Sequence, residues 1–174
     1  MKLEDNTTLN KLILLYVFEE MDVPVTQSTL TVMCTSLNTW LPYMDCIVTV
    51  NLLKESGFII ESSRSKDCYY TITSDGRNCL NNFYTRIPST LRNEMSEYIK
   101  ENRMNFRRKQ EYHHKYHKNP DGTYTVELKI DDPVQTTLDL KLTVSSRSIA
   151  KQISNNWEKK ASQIYLHLHE DLID

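Results

Sequence analysis

The stretch ESGFIIESSRSKDCYYTITSDGRNCL, residues 55–80, decides the fold of this 174-residue chain. Gly57 suits the position just past a helix end, where positive φ is wanted and a side chain would be strained. Phe58–Glu61 and Tyr69–Ile72 are rich in aromatic and β-branched residues and read as strands, with polar Ser62–Asp67 as the hairpin tip between them. Thr73 is placed to cap a new helix, and Asp75 falls in its first turn, where the helix dipole favours a carboxylate.

Upstream, a helix over about Tyr43–Ser56 turns Cys46, Val50 and Leu53 inward, with Ile47 flanking. At 100° per residue its outward face is then Met44, Asp45, Val48, Asn51, Leu52 and Glu55. Thr26 is a good N-cap for a preceding helix in which Leu30, Met33, Cys34 and Leu37 keep the i, i+3, i+4, i+7 spacing. Trp40 lies in the turn Asn38–Pro42 and is equally suited to packing beneath it or standing half exposed. The first helix is expected to start at Asn6 or Thr7 and run to about Met21, with Pro24 ending it and Val23–Val25 adding a short strand. Its apolar residues extend most of the way round, so it should be buried on more than one side, between this domain and either a second domain or a partner subunit.

Downstream, the helix after Thr73 carries Leu80, Phe83 and Tyr84, and Pro88 suits the first turn of another. In that helix Leu91, Met95, Tyr98 and Phe106 make a stripe, while Arg92, Lys100, Arg103, Arg107, Arg108 and Lys109 occupy other faces. The last third changes period. Tyr112, His114 and Tyr116 alternate with His113, Lys115 and His117, and Asn119–Gly122 is a turn signal. Tyr124–Ile130 and Leu138–Val144 then alternate apolar with polar residues, as in an antiparallel meander with one apolar face. A closing helix from Ser146 is expected to cover that face with Ile149, Ile153, Trp157, Ala161, Ile164 and Leu168.

Net charge is −2, unevenly spread. Residues 1–80 hold 6 Lys and Arg against 10 Asp and Glu, residues 81–118 hold 9 against 4, and residues 119–174 hold 6 against 9. Phosphate neutralisation drives nucleic-acid affinity, so an acidic N-terminal segment followed by a basic helix is an odd arrangement for a DNA binder. The longest apolar run, Leu12–Phe18, is far short of the roughly 18 residues that span a bilayer, and Met1–Asn10 lacks the form of a signal peptide. Cys34, Cys46, Cys68 and Cys79 form no C-x-x-C pair and read as reduced, buried thiols of a cytoplasmic protein. His113 and His117 would converge on a metal if helical, but on a strand they sit about 13 Å apart. No glycine-rich phosphate loop or nucleophile motif is present, so neither an enzyme nor a cofactor is expected.

Tyr70, Ile72, Thr73, Gly76 and Leu80 form the pattern Tyr-x-Ile-Thr-x-x-Gly-x-x-x-Leu, which resembles the wing-to-helix junction of winged-helix proteins. Over nearly its full length the chain also resembles a bacterial group known as domain-of-unknown-function family 4364. The resemblance is carried by LILLYVFEEMDVPVTQSTL at 12–30, LLKESGFI at 52–59, YYTITSDGRNCL at 69–80, RIPSTLRNEMSEYIKENR at 86–103 and DGTYTVELKI at 121–130. It implies an N-terminal winged helix, a C-terminal α+β domain and transcriptional regulation, with no established site residues.

The expected fold is therefore α+β: a winged helix-turn-helix domain at 1–86, a connecting and dimerising helix at 87–111 and a βββα domain at 112–174. The expected function is a regulator binding double-stranded DNA as a homodimer. Met44, Val48 and Asn51 of the third helix would enter the major groove, while Gln27, Ser28, Arg64, Lys66, Arg103, Arg107 and Arg108 would reach phosphates. Leu91, Met95 and Tyr98 would join subunits, and the C-terminal domain would take a small-molecule or protein effector. The competing expectation is a non-catalytic adaptor whose acidic winged helix binds protein, because Asp45 and Glu55 repel phosphate and Met44, Val48 and Leu52 are apolar.

Overall fold

The computed structural model describes residues 2–64, 67–132 and 135–173. Among them are six α-helices and two three-stranded antiparallel sheets, a mixed α+β chain. It divides into two compact units, Met1–Met104 and Asn105–Asp174. The division falls inside the helix expected to stand as a separate connector: its first part packs in the first unit and its end belongs to the second.

The first unit opens with α1, Lys2–Met21. This helix starts ahead of the expected Asn6 or Thr7 cap, since the residues before that cap include no proline or glycine to interrupt it. It stops at Asp22, whose φ of 52° takes the chain left-handed before Pro24 is reached. Every residue from Leu12 to Phe18 is buried. α1 is enclosed by elements of its own unit, namely the helices Tyr43–Glu55 and Ser74–Phe83 and the strand Asp67–Ile72, so its all-round apolar surface needs neither the second domain nor a partner. β1, Val25–Thr26, follows.

Thr26 caps α2, Gln27–Thr31, by accepting from the Thr29 N–H at 3.2 Å. The helix then widens into a π-helical segment over Val32–Leu37. Thr31 and Thr35 each donate their hydroxyl to the carbonyl four residues back, at 2.8 Å, competing with the helical ladder where it loosens. α3, Tyr43–Glu55, ends in a Schellman arrangement: Phe58 N–H bonds Leu53 O, Gly57 N–H bonds Lys54 O, and Gly57 takes φ +69°. β2, Ile59–Arg64, and β3, Asp67–Ile72, pair antiparallel in the order β1-β3-β2. Pairing persists through Ser62 and Ser63, so the strands outrun the polar tip expected at Ser62–Asp67.

Thr73 caps α4, Ser74–Phe83, by accepting from the Gly76 N–H at 3.1 Å. After a 3₁₀ turn, Tyr84–Arg86, α5 runs from Ser89 to Glu111. Its first part buries Met95 and Ile99 completely in the first unit. Trp40 is buried beneath its turn, meeting the Tyr98 ring edge-on at 5.6 Å and donating to Glu94 at 2.8 Å.

In the second unit β4, Tyr112–Lys118, β5, Tyr124–Asp131, and β6, Thr136–Val144, form a sheet in that order. α6, Arg147–Ile173, packs across one face. The buried line of α6 is Ala150, Ser154, Trp157 and Ala161. Ile149, expected to cover the sheet, is exposed, while Ile153, Ile164 and Leu168 are only half-buried. Small residues let the helix approach the strands closely, and two hydrogen bonds fix its phase: Ser154 with His114 of β4 at 2.6 Å, and Trp157 Nε1 to Lys129 O of β5 at 3.1 Å.

Candidate nucleic-acid interface

The outward face of α3 follows from its buried one. Cys46, Thr49, Val50 and Leu53 are buried, which turns Met44, Asp45, Val48, Asn51 and Glu55 into solvent. Met44 is 66% exposed and Val48 51%, and Tyr43 at the head of the helix is 58% exposed. Tyr43 was missed as a surface contributor, although it precedes Ile47 by one turn and directly follows Pro42. The face carries no cation. Asp45 accepts a 3.4 Å hydrogen bond from Asn10 of α1, and Glu55 is exposed at the far end. Lys54 is drawn away to Glu61 of β2 with its ammonium 5.8 Å from the Tyr70 ring centroid. That partnership holds the Lys54 pKa above its ordinary value and the Glu61 pKa below.

Gln27 and Ser28 are exposed at the start of α2, with the Gln27 amide oxygen accepting from the Tyr70 hydroxyl at 3.3 Å. Arg64 ends β2, and Lys66 lies outside the described residues. Arg103 is exposed on the part of α5 that belongs to the first unit. Arg107 and Arg108 belong to the second. Arg107 is held by Glu111, one turn on, at 2.6 Å, and that carboxylate raises its pKa. Part of the basic character read along this helix is therefore already neutralised locally.

Of the residues assigned to a dimer seam, Leu91 and Tyr98 are half-buried and Met95 is fully buried. Met95 faces the interior of its own unit, because α5 supplies that unit's core through Met95 and Ile99; a side chain with no exposed surface cannot meet another subunit. Two thiols, Cys34 and Cys46, are buried together; hydrogen bonding between them and burial push the Cys34 pKa well up. Cys68 and Cys79 are half-buried rather than enclosed.

The sheet of the second unit presents charges on the face away from α6. Lys115 pairs with Glu127 at 3.1 Å and Lys129 with Asp139 at 2.8 Å, each across neighbouring strands. His113 approaches Asp131 and His117 approaches Glu127, at 3.9 and 3.7 Å. The lysines hold the Glu127 and Asp139 pKa values below their ordinary 4.5 and 3.8. A carboxyl depressed in the folded state binds its proton more readily when unfolded, so its contribution is complete above those ordinary values and is lost as pH falls through the folded ones. Asp139 is exposed and Glu127 half-buried on the solvent side of the sheet, where water screens both pairs, so the effect is small. Urea midpoints of the second unit should fall between about pH 5 and pH 3, and by less in a Glu127→Gln, Asp139→Asn variant; an equal fall in both would assign the acid sensitivity elsewhere.

One family model, described as Domain of unknown function (DUF4364), matches residues 10–172. No curated protein and no solved structure matches the chain.

Proposed function

We propose that this chain, which belongs to the DUF4364 family, is a DNA-binding transcriptional regulator of the winged-helix type that works as a homodimer in the cytoplasm. One observation carries the reading: the β2–β3 hairpin follows α3 directly through Gly57 and shares its sheet with β1. In such a scaffold α3 docks in the major groove and the hairpin lies along the backbone. Met44, Val48 and Asn51 then face base edges, where Asn51 suits adenine and the apolar pair suits thymine methyls. Gln27, Ser28, Arg64, Lys66, Arg103 and Arg108 are the candidates for phosphate contacts, and Arg107 joins them on releasing Glu111. The C-terminal unit reinforces the dimer or takes an effector.

The wild-type chain should bind sheared genomic DNA at about 50 mM salt, with affinity falling steeply as salt rises. Absence of binding to every fragment at that salt would overturn the reading.

A second reading, a non-catalytic adaptor using α3 against protein, is favoured by the exposed Tyr43, Met44 and Val48 beside two carboxylates. The double change Asp45→Ala, Glu55→Lys separates the two. It should tighten DNA binding severalfold and steepen the salt dependence if α3 meets phosphate-rich surface. Unchanged DNA affinity would favour the adaptor.

A further inference from the structure

Among the described residues no further strand pairs with β4 or β6, the two edges of the second unit's sheet, and these edges differ in chemistry. α6 is moored to β4 and β5 by the bonds from Ser154 and Trp157, and it packs mainly on those strands. Beside it the apolar side of β6 is left partly open. A groove of about 470 Å³ runs there, bordered by Leu140 and Leu142 from the strand and by Ile153, Ile164 and Leu168 from the helix. Leu142 remains 41% exposed. β6 is nine residues long and contains no proline, so its outer edge presents unpaired backbone groups.

We infer that β6 pairs antiparallel with β6 of a second copy about a two-fold axis at Leu140, joining two sheets into one of six strands. The charges select this occupant. Within the chain one row across the polar face runs Lys115, Glu127, Lys141, and the next runs His113, Lys129, Asp139. With Leu140 opposite itself, Asp139 falls opposite Lys141 and Thr137 opposite Thr143. The first row then continues as Lys115, Glu127, Lys141, Asp139, Lys129, alternating in sign across the junction, and the symmetric row does the same. On the other face Leu138 meets Leu142, so each copy's leucines cover the other's.

Neighbouring registers fail. Those that keep the leucines on one face slide by two residues and set Asp139 against Asp139 or Lys141 against Lys141, and like charges directly opposite are destabilising. A slip of one residue puts leucine opposite charge. The β4 edge excludes itself: pairing about Lys115 would set Lys115 against Lys115 and His113 against His117. Cationic side chains on an edge are a common guard against such pairing.

This pairing supplies an interface for the homodimer of the preceding section, but it does not depend on DNA binding and is measured without DNA. By light scattering or sedimentation the full-length wild-type chain should be a dimer. Asp139→Lys and Lys141→Asp each create like-charge pairs across the axis, and each should raise the dimer dissociation constant at least about tenfold. Mixing the two variants should restore a heterodimer, because positions 139 and 141 then carry opposite charges across both junctions. Circular dichroism checks the folding of each variant.

If either variant unfolds, cysteine cross-linking decides instead. Leu140→Cys should form an intermolecular disulfide under mild oxidation, whereas Thr137→Cys should not, since its own copy lies about 20 Å away along the strands. A monomeric wild type, single variants that stay dimeric, a mixture that stays monomeric, or equal cross-linking at 137 and 140 would each overturn the pairing. DNA binding in the salt titration above can fail with the dimer intact, so the two readings fall separately.

Discussion

Replacing Trp157 with alanine is expected to remove about 3–5 kcal/mol from the second unit, the usual range for truncating a buried large aromatic. Trp157 is 1% exposed, at the centre of a core made with Val126, Leu128, Ile130, Ala150 and Ala161. Truncation also removes the hydrogen bond that its Nε1–H donates to the Lys129 carbonyl. A small unit has about 5–15 kcal/mol in total, so the loss removes a large share of its margin and lowers its melting temperature markedly. The chain offers a clean readout, because its two tryptophans fall one in each unit. In Trp157→Ala the remaining Trp40 reports only the first unit, whose fluorescence transition should be little changed, while the circular dichroism of β4–β6 and α6 melts early. Trp157→Phe keeps most of the bulk and should lose only about 1–2 kcal/mol, mainly the hydrogen bond. A Trp157→Ala chain that melts within about 1 kcal/mol of wild type would contradict this core, since even the mildest truncations of its class cost more.

The same residue marks how far the sequence could be read. Trp157 belongs to the apolar side of α6 on any periodicity argument, but the rotation of the helix does not follow from periodicity alone. Hydropathy favours Ile149 facing the sheet, whereas Ala150 and Ser154 do so, because close approach selects small side chains and the His114–Ser154 bond fixes the phase. That bond joins residues 40 apart and leaves no local trace. Locally coded features are legible: Gly57 with positive φ, the caps at Thr26 and Thr73, and the alternation from Tyr112 to Val144. Met95 illustrates the opposite case. A stripe along α5 looks the same whether it faces a partner or its own domain, and only the position of α1 and the Trp40 turn decides it. On α3 the exposure of Met44, Asp45, Val48, Asn51 and Glu55 follows from the 3.6-residue period, whereas Leu52, expected beside them, is half-buried and the exposed Tyr43 lies outside the expected face. Their neighbours were less legible: Lys54 goes to Glu61 because β2 returns alongside the helix, whereas Arg107 had its acidic partner visible one turn ahead.

Gly76→Ala should be the most damaging single-methyl change in the first unit, and more damaging than Gly57→Ala. Backbone angles alone suggest the reverse order, since Gly57 has a φ of +69° and Gly76 is not among the positive-φ residues. Space decides it. A Cβ at Gly57 would meet nothing within 4 Å, leaving only the left-handed conformation to cost about 1–2 kcal/mol. A Cβ at Gly76 would lie 2.3 Å from the Phe58 carbonyl oxygen and 2.9 Å from Ile72 Cγ1. That oxygen cannot easily retreat: it accepts from the Thr73 N–H at 3.0 Å and the Thr73 hydroxyl at 3.1 Å. Making room means separating α4 from the start of the hairpin, breaking the cap and the strand end together. Overpacking commonly costs about 1–3 kcal/mol, and with backbone as the obstacle the expected loss is about 3 kcal/mol, read as a lowered urea midpoint of the Trp40 fluorescence transition. Gly57→Asn, which tolerates the left-handed region better than alanine, should recover part of the Gly57→Ala loss, whereas no side chain should rescue position 76. If Gly76→Ala proved as mild as Gly57→Ala, α4 would have to stand farther from Phe58, and the hairpin would lose the anchor that holds it beside α3.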